Sequence, residues 1–212
     1  MKEVTVLLTS CGRQDLLERT IDSFLKFNTY PIKEFWIFED SGIYQVNLKL
    51  KLKYTFIKWI EPVERTGQIN ALDTLWGMCK TNYAFMCEDD WLFIKPGFIE
   101  ASMKIMEADP TIAQVWLRDR ADVNQHPIVW GPEYGILKSS HGLWSGIGFN
   151  PSLKRLKDYQ AIGSYGSHTV FNRSKPWKSE AAISQVYNKL GFKGSILTEA
   201  YMRHIGDLRH VN

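Results

Sequence analysis

Three consecutive carboxylates, Glu88, Asp89 and Asp90, stand between two short apolar runs. The run before them, residues 83–87, is typical of a buried parallel strand, and open α/β sheets bind ligands at the carboxyl ends of such strands. Adjacent carboxylates repel one another, so they need a cation or a hydrogen-bond network that neutralises them. Oxygen ligands favour Mg²⁺ or Mn²⁺, whose shells phosphate oxygens often complete. The alternative, a solvated acidic turn, is disfavoured by the apolar flanks.

Strands and helices alternate along most of the chain. Apolar, β-branched runs predict strands at 4–10, 35–38, 53–60, 83–87, 113–118, 141–151 and 195–198. Apolar residues at helical spacing predict helices at 14–27, 65–79, 99–106, 152–159 and 178–190, the last with Ser179 as N-cap and Gly191 as its stop. This order predicts a single α/β domain with a mostly parallel central sheet and helices on both faces. We expect loops or a small hairpin over 119–140, and a polar, mobile stretch over 163–176.

Composition excludes several classes of protein. A chain of 212 residues with a net charge of +3 and no Lys/Arg-rich block is not expected to bind nucleic acid. The three cysteines, Cys11, Cys79 and Cys87, lack metal-ligand spacing and predict buried, reduced thiols in a reducing, cytoplasmic compartment. The start of the chain enters a strand at once, so we expect no signal peptide, and no apolar run is long enough to span a membrane.

Four short stretches follow one another along the chain in an order that can be compared with known families. They are residues 9–13 with Leu16, the acidic strand end 38–42, the glycine-led helix start 67–71, and the triplet 88–90. Together with a late His-Ile-Gly at 204–206, they resemble the GT-A class of nucleotide-sugar glycosyltransferases, and the family-2 kind in particular. The triplet resembles the Glu-Asp-Asp form of that class's DXD metal motif, found in an N-acetylglucosaminyltransferase branch. The small size resembles the glycosyltransferase modules that large algal viruses carry for capsid glycans, which are parts of longer enzymes.

The resemblance implies a UDP-sugar donor such as UDP-glucose, a glycan or glycoprotein hydroxyl as acceptor, and Mn²⁺ or Mg²⁺ as cofactor. It divides the chain into a nucleotide-binding half, 1–95, and an acceptor- and sugar-binding half, 96–212. Asp40 is expected to read the uracil ring. Glu88, one methylene longer than the usual Asp, is expected at a ribose hydroxyl or a bridging water. The residues expected at the nucleotide are Thr9, Ser10, Arg13, Asp40, Arg65, Gln68, Glu88 and Asp89.

Metal binding and catalysis are expected to divide among the remaining site residues. Asp90 is the expected direct metal ligand, with Asp89 close to the sugar or a metal-bound water. The resemblance implies that His204 completes the metal shell; the alternative is an ordinary core or surface histidine.

Glu180 is a candidate base because it lies in the first turn of a predicted helix, after a stretch suited to a lid. It stands where the family often has a Glu-Asp pair, and its alternative role is to complement the helix dipole. Trp144, Gly146 and Gly148 are the expected sugar and acceptor contacts, because the glycines allow a close approach of the backbone.

Two other functions fit the same elements. A nucleotidyltransferase that makes an NDP-sugar shares the strand–helix order and the metal, but usually has a Gly-rich basic loop after its first strand. A non-catalytic nucleotide- or glycan-binding module would not need the carboxylate triplet.

Overall fold

The computed structural model describes residues 1–123, 125–139, 144–169 and 177–206, and its central sheet has five strands. In spatial order the strands are β3 (Lys58–Ile60), β2 (Ile32–Glu39), β1 (Val4–Ser10), β4 (Tyr83–Glu88) and β9 (Ser152–Arg155). β1 pairs in parallel with β2 and β4, β2 pairs in parallel with β3, and β9 is antiparallel to β4. The predicted mostly parallel sheet is confirmed.

Helices cover both faces of this sheet, as predicted. Successive side chains of β1 point to opposite faces, so Val6 packs in one apolar cluster and Leu7 in the other. The Val6 side is covered by α1 (Gln14–Phe27), α2 (Leu48–Lys53) and α4 (Phe98–Ala108). The Leu7 side is covered by α3 (Gln68–Met78), α5 (Leu156–Ile162) and α6 (Trp177–Lys189).

Two smaller sheets of the described residues continue the chain. A mixed sheet has the order β6 (Ile112–Trp116), β10 (Lys193–Leu197), β8 (Tyr134–Leu137) and β7 (Ile128–Trp130). Its β7–β8 pair is the small hairpin predicted within 119–140. A two-stranded ribbon joins β5 (Trp91–Phe93) to β11 (Met202–His204) and brings the late part of the chain beside the end of β4.

The strand predicted at 141–151 is wrong in its described part. Residues 144–151 form an isolated bridge followed by bends. Three of their backbone N–H groups bond to side chains of α6 instead of a strand's backbone: Ser145 and Ile147 donate to Ser184 Oγ, and Phe149 donates to Glu180 Oε1. A helix therefore takes the place of the expected partner strand.

Other predicted boundaries also need correction. The helix predicted at 152–159 is β9 followed by α5, because antiparallel pairing with β4 holds residues 152–155 extended. The strand predicted at 53–60 is reduced to Lys58–Ile60, although it does lie at the sheet edge. Ser179 is not an N-cap, because α6 already begins at Trp177. The structure describes residues 163–169 of the predicted mobile stretch, among which 165–168 form a 3-10 helix, and residues 170–176 lie outside the described residues.

Two of the three cysteines are buried, as predicted. Cys79 and Cys87 are buried, Cys11 is half-buried, and all three are free thiols. In the part of the chain that the structure describes, each helix is too short or too polar to cross a membrane.

Arg155 ties the end of β9 to the segment that leads into β6. It is buried; Nε donates to Asp158 Oδ2 at 2.6 Å, and the two terminal nitrogens donate to the carbonyls of Met106, Pro110 and Ile112. One side chain thus satisfies three backbone carbonyls and one buried carboxylate.

Arg155→Ala should lower the free energy of unfolding by about 3–5 kcal/mol, because it leaves the Asp158 carboxylate buried without its partner. Urea denaturation monitored by circular dichroism measures this change. Lys157→Ala is the control, since it removes an exposed cation two residues away. A loss below about 1 kcal/mol for Arg155→Ala, the size expected of an exposed pair, would contradict the importance of this contact.

Candidate active site

The carboxylate triplet lies where β4 ends, and Arg13 neutralises two of its members. Asp89 and Asp90 are both buried. Arg13, in the turn after the neighbouring strand β1, forms ion pairs with Asp89 and, at 2.8 Å, with Oδ2 of Asp90. Ser10 Oγ also donates to Asp89 Oδ2 at 3.0 Å. The parallel pairing of β1 with β4 brings these groups to the same sheet edge.

Burial and pairing act in opposite directions on the two aspartates. Burial raises the pKa of Asp89, against the charge and hydrogen bond of Arg13. Burial also acts to raise the pKa of Asp90, but the hydrogen bond from His204 and the charge of Arg13 outweigh it and lower the pKa. Asp90 is therefore the more strongly stabilised carboxylate of the two.

His204 reaches the triplet through the β5–β11 ribbon, in which it stands opposite Trp91. Its Nε2 lies 3.3 Å from Asp90 Oδ2, and its ring lies 5.0 Å from the Trp91 ring. The next N–H group, of Ile205, donates to the backbone carbonyl of Asp90. A Cβ at Gly206 would lie 2.8 Å from Asp90 Cγ, so this close approach requires glycine. The structure thus brings together the two residues predicted to bind metal.

Glu88, at the end of β4, contacts the start of α3 and is affected by the charge of Glu180 in α6. Gln68 Nε2 donates to its Oε1 at 2.8 Å. Burial raises the pKa of Glu88 to about 8, and the charges of Asp90, Glu180 and Asp89 act in the same direction. Glu180, from α6, therefore lies close enough to the triplet to influence it electrostatically.

The end of β2 forms the neighbouring part of the same edge. Asp40 is buried, and both its oxygens accept hydrogen bonds: Oδ1 from the N–H and hydroxyl of Thr66, and Oδ2 from the N–H of Gly67. Glu39 Oε1 accepts from Gly12 N–H at 2.7 Å. These acids hold the turns after β1 and before α3 in place. The expected contact of Asp40 with uracil stays a prediction.

The remaining residues expected at the nucleotide also lie along this edge. Thr9 is buried near the end of β1, beside Glu88 of β4 in the strand register. Arg65 is exposed, and its charge acts on Cys11 in the turn after β1. Gln68 opens α3 and contacts Glu88 directly. Whether they bind a nucleotide stays a prediction.

Glu180 and Ser184, one turn apart on α6, hold residues 145–149 against the helix. Ser184 Oγ accepts from Ser145 and Ile147, and Glu180 Oε1 accepts from Phe149 N–H at 2.9 Å. Burial raises the pKa of Glu180, and three groups oppose it: the Phe149 N–H, Lys154 and Arg118.

The three residues expected at the sugar or acceptor have structural contacts of their own. Trp144 Nε1 donates to the Ile147 carbonyl, and its ring packs 5.4 Å from that of Trp116. A Cβ at Gly146 would lie 2.6 Å from Leu137, and one at Gly148 would lie 2.8 Å from Cδ of Glu180. The glycines therefore do allow a close approach, but the approaching groups here are protein side chains. Contact with a sugar stays a prediction.

Sequence reasoning missed two cations near Glu180. Lys154 lay in a predicted helix, and Arg118 at the end of a predicted strand. Arg118 packs its guanidinium 4.8 Å from the Trp91 ring centre and 5.7 Å from that of Trp116. Nothing local distinguishes these residues from exposed lysines and arginines, because their surroundings come from distant segments.

The site suits a divalent cation that is also bound by a ligand's oxygens. Within the described residues, no three His, Cys, Asp or Glu side chains converge as a metal site. Asp90 and His204 nevertheless offer an oxygen and a nitrogen 3.3 Å apart. Mg²⁺ sites commonly use one or two carboxylates and leave the other positions to water and phosphate. The donor set therefore fits, with Arg13 as a competing cation.

A cavity of about 630 Å³ lies elsewhere, at the opposite edge of the sheet. It is lined by residues that include Lys2, Tyr83 and Arg155, which stand at the amino ends of β1 and β4 and at the end of the antiparallel β9. Ligands of open α/β sheets bind at the carboxyl ends of the strands, so we place the candidate site at the triplet.

Solved structures with the same fold are glycosyltransferases of the GT-A class. The chain resembles S. aureus TarS 1–349 in complex with UDP-GlcNAc, with a TM-score of 0.68 and 11% identity over 100% of this chain and 62% of that one. It resembles GalNAc-T7 with UDP, GalNAc and Mn²⁺, with a TM-score of 0.68 and 13% identity over 96% and 44%. It also resembles the mannosyltransferase PcManGT from Pyrobaculum calidifontis with GDP-Man and Mn²⁺, with a TM-score of 0.63 and 15% identity over 93% and 54%.

The sequence identifies the family within this class. The profile of Glycosyl transferase family 2 matches residues 5–178, and the chain belongs to this family. No curated protein sequence matches it significantly. The chain spans 44–62% of the length of these three solved structures.

Gly148→Ala should lower the free energy of unfolding by about 1–3 kcal/mol, because the added Cβ overlaps the Glu180 carboxylate. The same change in a Glu180→Ala background should cost much less, since the overlapping atoms are gone. A double-mutant cycle by urea denaturation measures the difference.

Gly77→Ala is the matched control, because a Cβ at this position of α3 meets nothing within 4 Å. It should stabilise the helix by up to about 1 kcal/mol. An equal cost of Gly148→Ala with and without Glu180 would show that the carboxylate does not lie over Gly148.

Proposed function

We propose that the chain transfers a sugar from a UDP-sugar to a hydroxyl group of a glycan or glycoprotein, with Mn²⁺ or Mg²⁺ as cofactor. The observation that carries the proposal is the meeting of the triplet with Arg13, His204 and Glu180 at the carboxyl edge of the sheet. The family supports sugar transfer. UDP, as donor nucleotide, is supported by the UDP-containing structures of TarS and GalNAc-T7, whereas PcManGT holds GDP-Man.

The chain's own residues would prepare the donor. Arg13 and Ser10 hold Asp89 in place, and the bound sugar or a metal-bound water would lie close to it. Asp90 and His204 would hold the divalent ion, which supplies positive charge to the leaving diphosphate. Arg13 offers a second positive charge at the same edge. Ser10 and His204 lie on strands β1 and β11, and Arg13, Asp89 and Asp90 lie in the turns that follow β1 and β4, so the fold fixes their spacing before the donor binds.

Glu180 would act on the acceptor. Its carboxylate accepts the proton of the attacking hydroxyl while the acceptor oxygen bonds to the anomeric carbon. The bond from that carbon to the diphosphate oxygen breaks, and the nucleotide leaves with the electron pair. This role requires inversion at the anomeric carbon. Burial raises the pKa of Glu180, which makes it a stronger base than an exposed carboxylate.

Product analysis separates sugar transfer from the two alternatives. A glycosyltransferase releases UDP when it consumes a UDP-sugar, a nucleotidyltransferase releases pyrophosphate when it makes one, and a binding module releases neither. After β1, residues 11–14 do not form the Gly-rich basic loop that is usual in a nucleotidyltransferase. Arg13 of this turn contacts the triplet instead.

UDP should raise the melting temperature only when Mn²⁺ or Mg²⁺ is present, because carboxylates and diphosphate repel each other without a cation. Thermal shift with UDP, GDP and CMP, each in Mn²⁺ or EDTA, measures this dependence. Asp90→Asn should abolish the metal-dependent part, and the exposed Asp119→Asn should not. Equal stabilisation by UDP in EDTA would refute the metal bridge.

Glu180→Gln should lower the rate of sugar transfer by about 10²–10⁴-fold, the usual contribution of a general base. Glutamine retains an oxygen that can accept from Phe149 N–H, so UDP binding and melting temperature should hardly change. UDP release from candidate UDP-sugars with mixed glycan acceptors measures the rate, and the exposed Glu133→Gln is the control. Near-parent transfer by Glu180→Gln would place the base elsewhere or indicate a retaining reaction.

A further inference from the structure

Lys154 is a buried lysine whose hydrogen bonds in the structure go to neutral oxygens. Its exposed fraction is 4%. Nζ donates to the carbonyl of Gly148 at 2.7 Å and to Oε1 of Gln114 at 3.0 Å. Burying an ammonium group is costly in free energy unless an opposite charge compensates it. A methionine would fill similar space without this cost, so the charge needs an explanation.

The hydrogen bonds of Lys154 fix the backbone on which Glu180 rests. Gln114 Oε1 accepts hydrogen bonds from both Lys154 Nζ and the N–H of Gly148. Because Lys154 also donates to the Gly148 carbonyl, the two side chains bind both backbone polar groups of that glycine. The next N–H group, of Phe149, donates to Glu180 Oε1. Gly148 is therefore held by Lys154 and Gln114 on one side and covered by the Glu180 carboxylate on the other.

The charges around the two residues are complementary. The charges of Lys154, in β9, and of Arg118, in the segment after β6, act to lower the pKa of Glu180. The charge of Glu180 in turn acts to raise the pKa of Glu88, in β4. Burial lowers the pKa of Lys154, and the charges of Glu180 and of Asp158, in α5, oppose this shift. The cations favour an ionised Glu180, whereas burial disfavours it.

We infer that Lys154 is a positioning residue for Glu180: it fixes residues 148 and 149 under the carboxylate and supplies the buried positive charge that keeps it ionised. The inference rests on the proposed role of Glu180 as the base that accepts the acceptor's proton. It adds a residue that contacts neither donor nor acceptor.

Removal of the Lys154 charge should have an effect that depends on pH. Without the cation the protonated form of Glu180 is favoured, so its pKa rises and the base form is reached only at higher pH. Burial lowers the pKa of Lys154 to about 7, so the parent itself loses this charge as the pH rises through about 7. The deficit of a variant should therefore be largest below pH 7 and shrink above it. A purely structural role predicts a loss that does not depend on pH.

The test compares Lys154→Met with the parent and with Lys157→Met, which removes an exposed lysine three residues away. The Glu carboxyl carbons are labelled with ¹³C, the Glu180 signal is assigned from its absence in Glu180→Gln, and its titration is followed by NMR. In parallel, kcat and KM for UDP release are measured from pH 5.5 to 8.5. Lys154→Gln is the second variant if Lys154→Met does not fold, because it keeps an N–H donor but removes the charge.

We expect the Glu180 signal of Lys154→Met to titrate at higher pH, and kcat to fall about tenfold below pH 7 with little change in KM. Lys157→Met should match the parent. An unchanged Glu180 titration would overturn the inference, whatever the rate of transfer. A shifted titration together with parent-like transfer by Glu180→Gln would support the coupling of Lys154 to Glu180 and overturn the assignment of Glu180 as the base.

Discussion

The ion pairs of Arg13 with Asp89 and Asp90 are the interaction on which the candidate site depends. A strand that ends in three acids, two of them buried, is stable only if their charge is neutralised. Arg13 can do this because it follows β1, the parallel neighbour of β4, and parallel neighbours end at the same edge. The paired charges then make a fixed electrostatic environment at the point where the sheet opens to ligands.

The later part of the chain completes this environment from two directions. The β5–β11 ribbon sets His204 beside Asp90. On the other side, β9 extends the central sheet and carries Lys154, while α6 carries Glu180. The charge of Glu180 acts to raise the pKa of Glu88, so the acid on α6 and the acid at the end of β4 are electrostatically coupled. A donor bound at β4 and an acceptor bound near α6 would therefore lie close together.

Local patterns predicted the elements whose pattern is complete within one segment. β1 and α1 have the predicted bounds, Val4–Ser10 and Gln14–Phe27, because apolar runs and helical spacing are fully expressed there. Residues 144–151 and β9 were mispredicted because their hydrogen-bond partners lie far away in sequence, on α6 and β4. Asp90, His204 and Glu180 could be predicted as site residues because their residue types suggest chemistry. The burial of Lys154 could not be predicted, because the residues that surround it come from distant parts of the chain.

Anomalous diffraction from crystals grown with UDP and Mn²⁺ tests most directly whether the triplet is the donor site. We expect one manganese peak within bonding distance of Asp90 and His204 and of the diphosphate oxygens, with the uracil ring near the end of β2. Bound UDP with manganese away from Asp90, or with no manganese, would contradict the assignment of this edge as a metal-dependent donor site.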